Sequence, residues 1–134
     1  MKNNTVAAQS KYKNIQCEAN GIKFHSKAER RRYLELYKLE QLGVIRALEL
    51  QPSFTLLERF ESNGIKYRAI NYLADFRYLM DGVNVVEDVK GKETKEYLLK
   101  RKLFLSQRNK DVFGLMIIFR ELRLVRNKWD VTEL

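Results

Sequence analysis

Two aspartates and a lysine lie within one short stretch, Asn71 to Gly91, which reads N-Y-L-A-D-F-R-Y-L-M-D-G-V-N-V-V-E-D-V-K-G. Asp81-Gly82 suits a two-residue hairpin turn. With Met80 opposite Val83, paired positions sum to 163 and Asp75 falls opposite Asp88. Their Cβ atoms would then lie about 5 Å apart on one face, where like charges destabilise the pair. Something positive should therefore occupy the gap. Lys90, on the Asp88 face, is one candidate. A hard divalent cation such as Mg²⁺ is another, since it is held by one or two carboxylates, waters and phosphate oxygens. The alternative is a solvated sheet face with an ordinary strand-end lysine. Glu87 falls on the opposite face between Val85 and Val89 and ranks below Asp88 as a ligand, an order that a bulge would reverse.

Ser26-Lys27-Ala28-Glu29 fits a capping box, in which Glu29 bonds back to the start of a helix. Glu29 also heads the apolar stripe through Tyr33, Leu36 and Tyr37. A carboxylate on a buried helix face is costly unless paired or metal-bound, so Glu29 is a candidate third carboxylate. From Lys90 to Lys110 eight Lys and Arg stand against Glu93 and Glu96, an excess of +6. Lys92, Lys95, Lys100, Arg101 and Lys102 are the candidate phosphate contacts, because such clusters neutralise a nucleic-acid backbone; a solvated helix face is the alternative. The helix start near Thr94 adds N–H donors for a phosphate. Gly91-Lys92-Glu93-Thr94 is not a P-loop, since Glu93 interrupts the G-K-[ST] run. His25, just before a helix, is expected to order that junction rather than to catalyse.

The elements that must position these residues can be read along the chain. A hairpin is expected over Ile15–Phe24, turning at Asn20-Gly21. Helices are expected from Ser26 to about Leu42, with Tyr33, Leu36, Tyr37, Leu39 and Leu42 facing inward, and from about Thr94 to Arg108. Strands are expected over Ser53–Phe60, Ile65–Leu79, Val83–Lys90 and Val112–Phe119, with a further turn at Asn63-Gly64. On the long strand Tyr72, Ala74, Phe76 and Tyr78 would share a face. The last strand would lie parallel to Val83–Lys90 through a crossover helix. The sum is an α/β fold, a mixed β-sheet flanked by α-helices, over residues 15–134. Residues 1–14 read as a flexible basic N-terminal arm, and Arg120–Leu134 carries no clear pattern.

The chain has 134 residues and a net charge of +9, with one Cys, one His and 45% hydrophobic residues. One Cys forbids an intrachain disulfide and a Cys-based zinc site, and one His forbids an H-E-x-x-H site. No hydrophobic leader stands at Met1–Asn14, and the longest apolar run, Leu115–Phe119, is far short of a membrane span. The expectation is a soluble protein in a reducing compartment with a polyanionic partner, nucleic acid first.

Taken in order, F-x-S-x-x-E (Phe24 to Glu29), L-x-x-Q-P (Leu48 to Pro52), A-D-F-x-Y (Ala74 to Tyr78) and E-D-V-K-G (Glu87 to Gly91) resemble the PD-(D/E)XK nuclease superfamily. The likeness covers about Lys11 to Phe119 and looks closest to small phage-encoded endonuclease-like proteins. It implies a restriction-endonuclease-like fold and a divalent-metal-dependent DNA endonuclease. By the same resemblance Asp75, Asp88 and Glu29 are the metal-binding carboxylates, Lys90 is the motif lysine, and Gln51 and Thr94 are auxiliary polar residues. Ala74 stands where the motif has Pro. The cofactor implied is Mg²⁺, with Mn²⁺ as substitute, and no nucleotide cofactor. The partner implied is DNA, branched DNA or a Holliday junction among the substrates, with a homodimer possible and no membrane. The setting would be phage recombination or replication in the cytoplasm of a bacterial host. The competing readings are a non-catalytic nucleic-acid-binding module on the same fold and a basic protein–protein adaptor.

Overall fold

The computed structural model describes residues 17–134; the expected basic arm and the first two residues of the expected hairpin lie outside this range. The first hairpin pairs β1 (Cys17–Ala19) with β2 (Ile22–Phe24) across Asn20-Gly21. Helix α1 (Lys27–Gln41) follows, with Ser26 as its N-cap: the Ser26 Oγ accepts the Glu29 N–H at 3.1 Å. Tyr33 and Leu36 are buried and Leu39 partly so. The expected inward stripe is narrower than its pattern, because Tyr37 and Leu42 are exposed. Tyr37 sits at the rim against the Tyr33 ring, and Leu42 is already the C-cap.

Next come β3 (Arg46–Leu50), β4 (Ser53–Leu57), β5 (Phe60–Ser62), β6 (Ile65–Tyr67), β7 (Ile70–Leu73), β8 (Phe76–Met80) and β9 (Val83–Val89). Helix α2 (Lys95–Asn109), capped by Thr94, leads to β10 (Ile117–Val125) and β11 (Lys128–Glu133). The main sheet has the order β11-β10-β9-β8-β3, with β10 parallel to β9 and the other neighbours antiparallel. It is a mixed sheet in a mixed α/β fold. Alternation along the central strands places the helices on opposite faces. Val85, Val89 and Leu122 join Tyr33 and Leu36 of α1 in one cluster, whereas Val86, Ile117 and Phe119 join Tyr97 and Phe104 of α2 in the other.

The hairpin β8–β9 has the expected register, Met80 with Val83 through Phe76 with Glu87. Asp81 and Gly82 both have positive φ, 52° and 78°, which a type I′ turn demands of both its residues. Three expectations need correction. The strand Ile65–Leu79 is broken into β6, β7 and β8, so Tyr72 and Ala74 lie in the α2-side cluster and Phe76 and Tyr78 in the α1-side cluster. The strand Ser53–Phe60 stops at Leu57, where its pairing with β7 ends in an irregularity. The strand expected over Val112–Phe119 starts at Ile117, since Val112 and Met116 belong to the exposed connection from α2. Arg120–Leu134 completes β10 and forms β11. Edge strand β3 went unread: R-A-L-E-L lacks strict alternation and is bent at Ala47, with φ 56°. Among the described residues no helix is long and apolar enough to cross a membrane.

Candidate metal and phosphate site

The site is made at a corner in the chain. Proceeding backwards from β8, the ladder with β9 ends at Phe76–Glu87, with one more bond from the Asp75 N–H to the Glu87 carbonyl at 3.1 Å. Beyond Asp75 the chain leaves the main sheet, and β7 pairs with β4 instead. Two bonds fix the corner: Gln51 N–H donates to the Asp75 carbonyl at 2.9 Å, and Ala74 N–H to the Pro52 carbonyl at 3.1 Å. A proline at position 74 would lose that second bond, so Ala74 suits this corner. The departure leaves the end of β9 without a neighbour on that side. The Asp75 carboxylate fills the place, its Oδ2 accepting the Val89 N–H at 2.7 Å.

Along β9 successive side chains point to opposite faces. Glu87 points to the α1 side, completely buried, and Arg32 of α1 donates to it twice at 2.7 Å while Tyr78 donates a third bond. It is a satisfied structural carboxylate. Asp88 points to the α2 side, 1% exposed, where it meets Asp75. Tyr72 donates its phenol proton to Asp88 Oδ2, and the Lys90 Nζ lies 3.2 Å from Oδ1. Lys90 rests over the Tyr97 ring, 3.9 Å from its centroid. Glu29 arrives from the first turn of α1. Its carboxylate accepts from the Ser26 hydroxyl at 3.4 Å, and Glu29 lines the same cleft as Asp75. The capping box thus has a variant form, with Glu29 bonded to the hydroxyl of the cap and turned toward the sheet.

Burial, and then the charge of Glu29, raises the Asp75 carboxyl to about 6. Burial, and then the charge of Asp75, raises Asp88 to about 8, with Lys90 opposing. Glu29 is raised too, first by burial. Of the two aspartates Asp88 is raised further, burial being the largest cause for each. Among the described residues no group of three or more Asp, Glu, His or Cys side chains is spaced to hold a metal ion. The chemistry of the donors nevertheless suits a hard divalent cation: carboxylates that repel one another, with Glu29 and Asp75 lining a cleft beside Ser26, Val89, Lys90, Gly91 and Lys92 and Asp88 buried next to Asp75.

The candidate phosphate contacts divide. Lys92, Lys95 and Lys102 are exposed, and Lys92 lines the cleft. Lys100 pairs with Glu96 at 3.3 Å. Arg101 is committed elsewhere: it bonds Glu121 at 2.8 Å and Glu93 at 3.3 Å, and Arg123 closes the same network. Thr94 is occupied as the α2 cap, its Oγ1 accepting the Tyr97 N–H at 3.1 Å. Gln51 does reach the site region, lining a pocket with Glu29 and Asp75, and His25 lines it too. A protein-family model matches residues 9–131. The chain belongs to the DUF1064 family, described as a protein of unknown function. No curated protein matches this DUF1064 chain at a significant level. A solved structure described as "Crystal structure of SSO0001" is similar at a TM-score of 0.42 and 16% identity, over 78% of this chain and 48% of that one. The chain therefore spans about half the length of that protein.

Sequence reasoning missed Tyr72 and Tyr97, which bracket Asp88 and Lys90. Both read as ordinary apolar strand and helix positions, and only their hydroxyl groups, meeting Asp88 and Glu121, set them apart. It also missed the partner of Glu87, since Arg32 lies 55 residues away.

Proposed function

We propose that this DUF1064 protein is a divalent-metal-dependent endonuclease that hydrolyses phosphodiester bonds in DNA, with the restriction-endonuclease-like organisation its motifs resemble. The observation that carries the reading is the contrast between adjacent residues of β9. Glu87 is neutralised by a bidentate arginine, as a buried structural carboxylate should be. Asp88 faces Asp75 instead, with Glu29 beyond and a lysine and a phenol as its other partners. Carboxylates gathered from a helix, a strand corner and a central strand cost stability unless they serve a cation.

Glu29, Asp75 and Asp88 would hold Mg²⁺ or Mn²⁺. When bound, the ion supplies a water of lowered pKa and charge compensation at the phosphate. Lys90, braced between Asp88 and the Tyr97 ring, would hold the attacking water or a non-bridging phosphate oxygen. Tyr72 keeps the Asp88 carboxylate in its rotamer. Lys92, at the cleft wall, contacts the flanking backbone.

The test is cleavage of linear, nicked, flapped and four-way DNA with Mg²⁺, with Mn²⁺ and with EDTA. Asp75→Ala, Asp88→Ala and Lys90→Ala should each reduce metal-dependent cleavage by at least about 100-fold while leaving most DNA affinity. Unchanged cleavage by all three folded variants would refute the assignment.

A further inference from the structure

Two cavities meet at the carboxylates. The open cleft described above, about 420 Å³, sets Lys90 and Lys92 beside the carboxylates. A second cavity of about 160 Å³ lies on the other side, between the β1–β2 hairpin, the β3–β4 corner and β8. Glu29 and Asp75 line both. The second cavity differs in character: Ile22, Phe24, Leu50 and Phe76 give it apolar walls, and Gln51, His25 and Lys23 are its polar members besides the two carboxylates. We infer that this second cavity receives the base of the nucleotide next to the scissile phosphate, so that the substrate is DNA with an unpaired nucleotide at the cleavage point.

The inference rests on the nuclease reading and deepens it. Its first support is continuity. A phosphate at the carboxylates has its own sugar and base one linkage away, and two of those carboxylates, Glu29 and Asp75, are walls of the second cavity. Size is the second: cavities of roughly 150 Å³ hold benzene in other proteins, so 160 Å³ admits one flat heterocycle. The third is chemistry. Small-ligand pockets combine apolar walls with a few polar groups, and the Gln51 amide offers a donor and an acceptor to a base edge. Gln51 sits in the left-handed region, φ 51°, at the corner where its N–H bonds the Asp75 carbonyl. Non-glycine residues in that conformation persist where the surroundings over-determine them, and they cluster at functional sites. A base stacked and paired in a duplex cannot enter a walled cavity; it must be extruded or already unpaired.

The experiment measures DNA affinity of the full chain in EDTA, at fixed salt, by fluorescence anisotropy. Three labelled duplexes differ at one position: fully paired, one unpaired base, and an unpaired abasic site. The unpaired base should bind about tenfold tighter than the other two, the gain of seating one base. Leu50→Trp, which fills the cavity from its wall, and His25→Trp, which obstructs its rim, should each erase that preference. Equal affinity for the three DNAs, or a preference that survives in both folded variants, overturns the inference. Cleavage with Mg²⁺ on the same DNAs separates the two ideas. Cleavage without preference for the unpaired base defeats the pocket and leaves the nuclease; preference in binding with no cleavage of any DNA defeats the nuclease and leaves the pocket.

Discussion

Arg32→Met should be among the most damaging single substitutions in this chain, and it should damage stability rather than chemistry. The Glu87 side chain is fully buried and that of Arg32 is 16% exposed, so their two bonds of 2.7 Å are made largely away from water. Removing the arginine leaves Glu87 buried with only the Tyr78 hydroxyl as donor. Stranding a buried charge in this way costs about 3–5 kcal/mol. With a urea m value of about 2 kcal/mol/M, the unfolding midpoint falls by about 2 M, and Tm falls by roughly 10–15 °C for a chain of this size. Equilibrium urea unfolding of wild type, Arg32→Met, Glu87→Gln and the double variant measures the pair directly. In the double variant the introduced amide carbonyl still accepts from Tyr78. That variant should recover at least about half of the Arg32→Met loss, giving a coupling of at least about 1.5 kcal/mol. Glu87→Gln should keep its metal-dependent cleavage, while Asp88→Asn should lose it. A cost below about 1 kcal/mol for Arg32→Met, or dead but folded Glu87→Gln protein, would show that the division of labour between Glu87 and Asp88 is mistaken.

In EDTA, Tm should fall as pH rises from 6 to 8. The folded protein retains a proton on Asp88, raised to about 8 from an ordinary 3.8, that the unfolded chain has already released. That stability is fully present below the unfolded value and is lost as pH climbs through the folded one, at up to about 1.4 kcal/mol per unit, or about 5 °C. Asp88→Asn should flatten the slope, and a slope equal to wild type would count against the assignment; Mn²⁺ should raise wild-type Tm more at pH 8 than at pH 6, because protons compete for the same oxygens. Lys92→Gln should reduce the slope of log affinity for DNA against log salt by about 0.9, whereas Arg101→Gln should lower stability through Glu121 and leave the salt slope nearly unchanged; the reverse pattern would reassign the basic face. Tyr72→Phe should cost about 1–3 kcal/mol in thermal unfolding, because it removes a donor from buried Asp88, and a neutral result would mean the phenol is not bonded there.

Local chemistry made much of this fold readable. Asn20-Gly21, Asn63-Gly64 and Asp81-Gly82 are turns because Asn, Asp and Gly tolerate positive φ, and all six residues adopt it. Ser26 and Thr94 mark helix starts because their hydroxyls accept an N–H three residues on. The Asp81-Gly82 turn set the β8–β9 register, and with it the meeting of Asp75 and Asp88. The corner at Asp75 was not readable, since apolar alternation runs through Tyr72, Ala74, Phe76 and Tyr78 while the chain changes sheets between Ala74 and Phe76. Its causes are Gln51 and Pro52, more than twenty residues earlier. Arg101 read as a free cation because Glu121 lies twenty residues away on another element. Strand β10 read as ending at Phe119 because Arg120 and Glu121 break its apolar run, yet Arg120 pairs with Glu133 and two arginines and Tyr97 satisfy the buried Glu121 carboxylate.

The bond from the Val89 amide to Asp75 has a use of its own. That proton is held by a side chain rather than by a strand, so it is wired to whatever the Asp75 carboxylate is doing. An ion drawing electron density from Asp75, a proton arriving on it, or a rotamer change would each move one backbone amide resonance in the middle of the molecule. The protein carries a native spectroscopic reporter of its candidate centre, with no label attached and no substrate required.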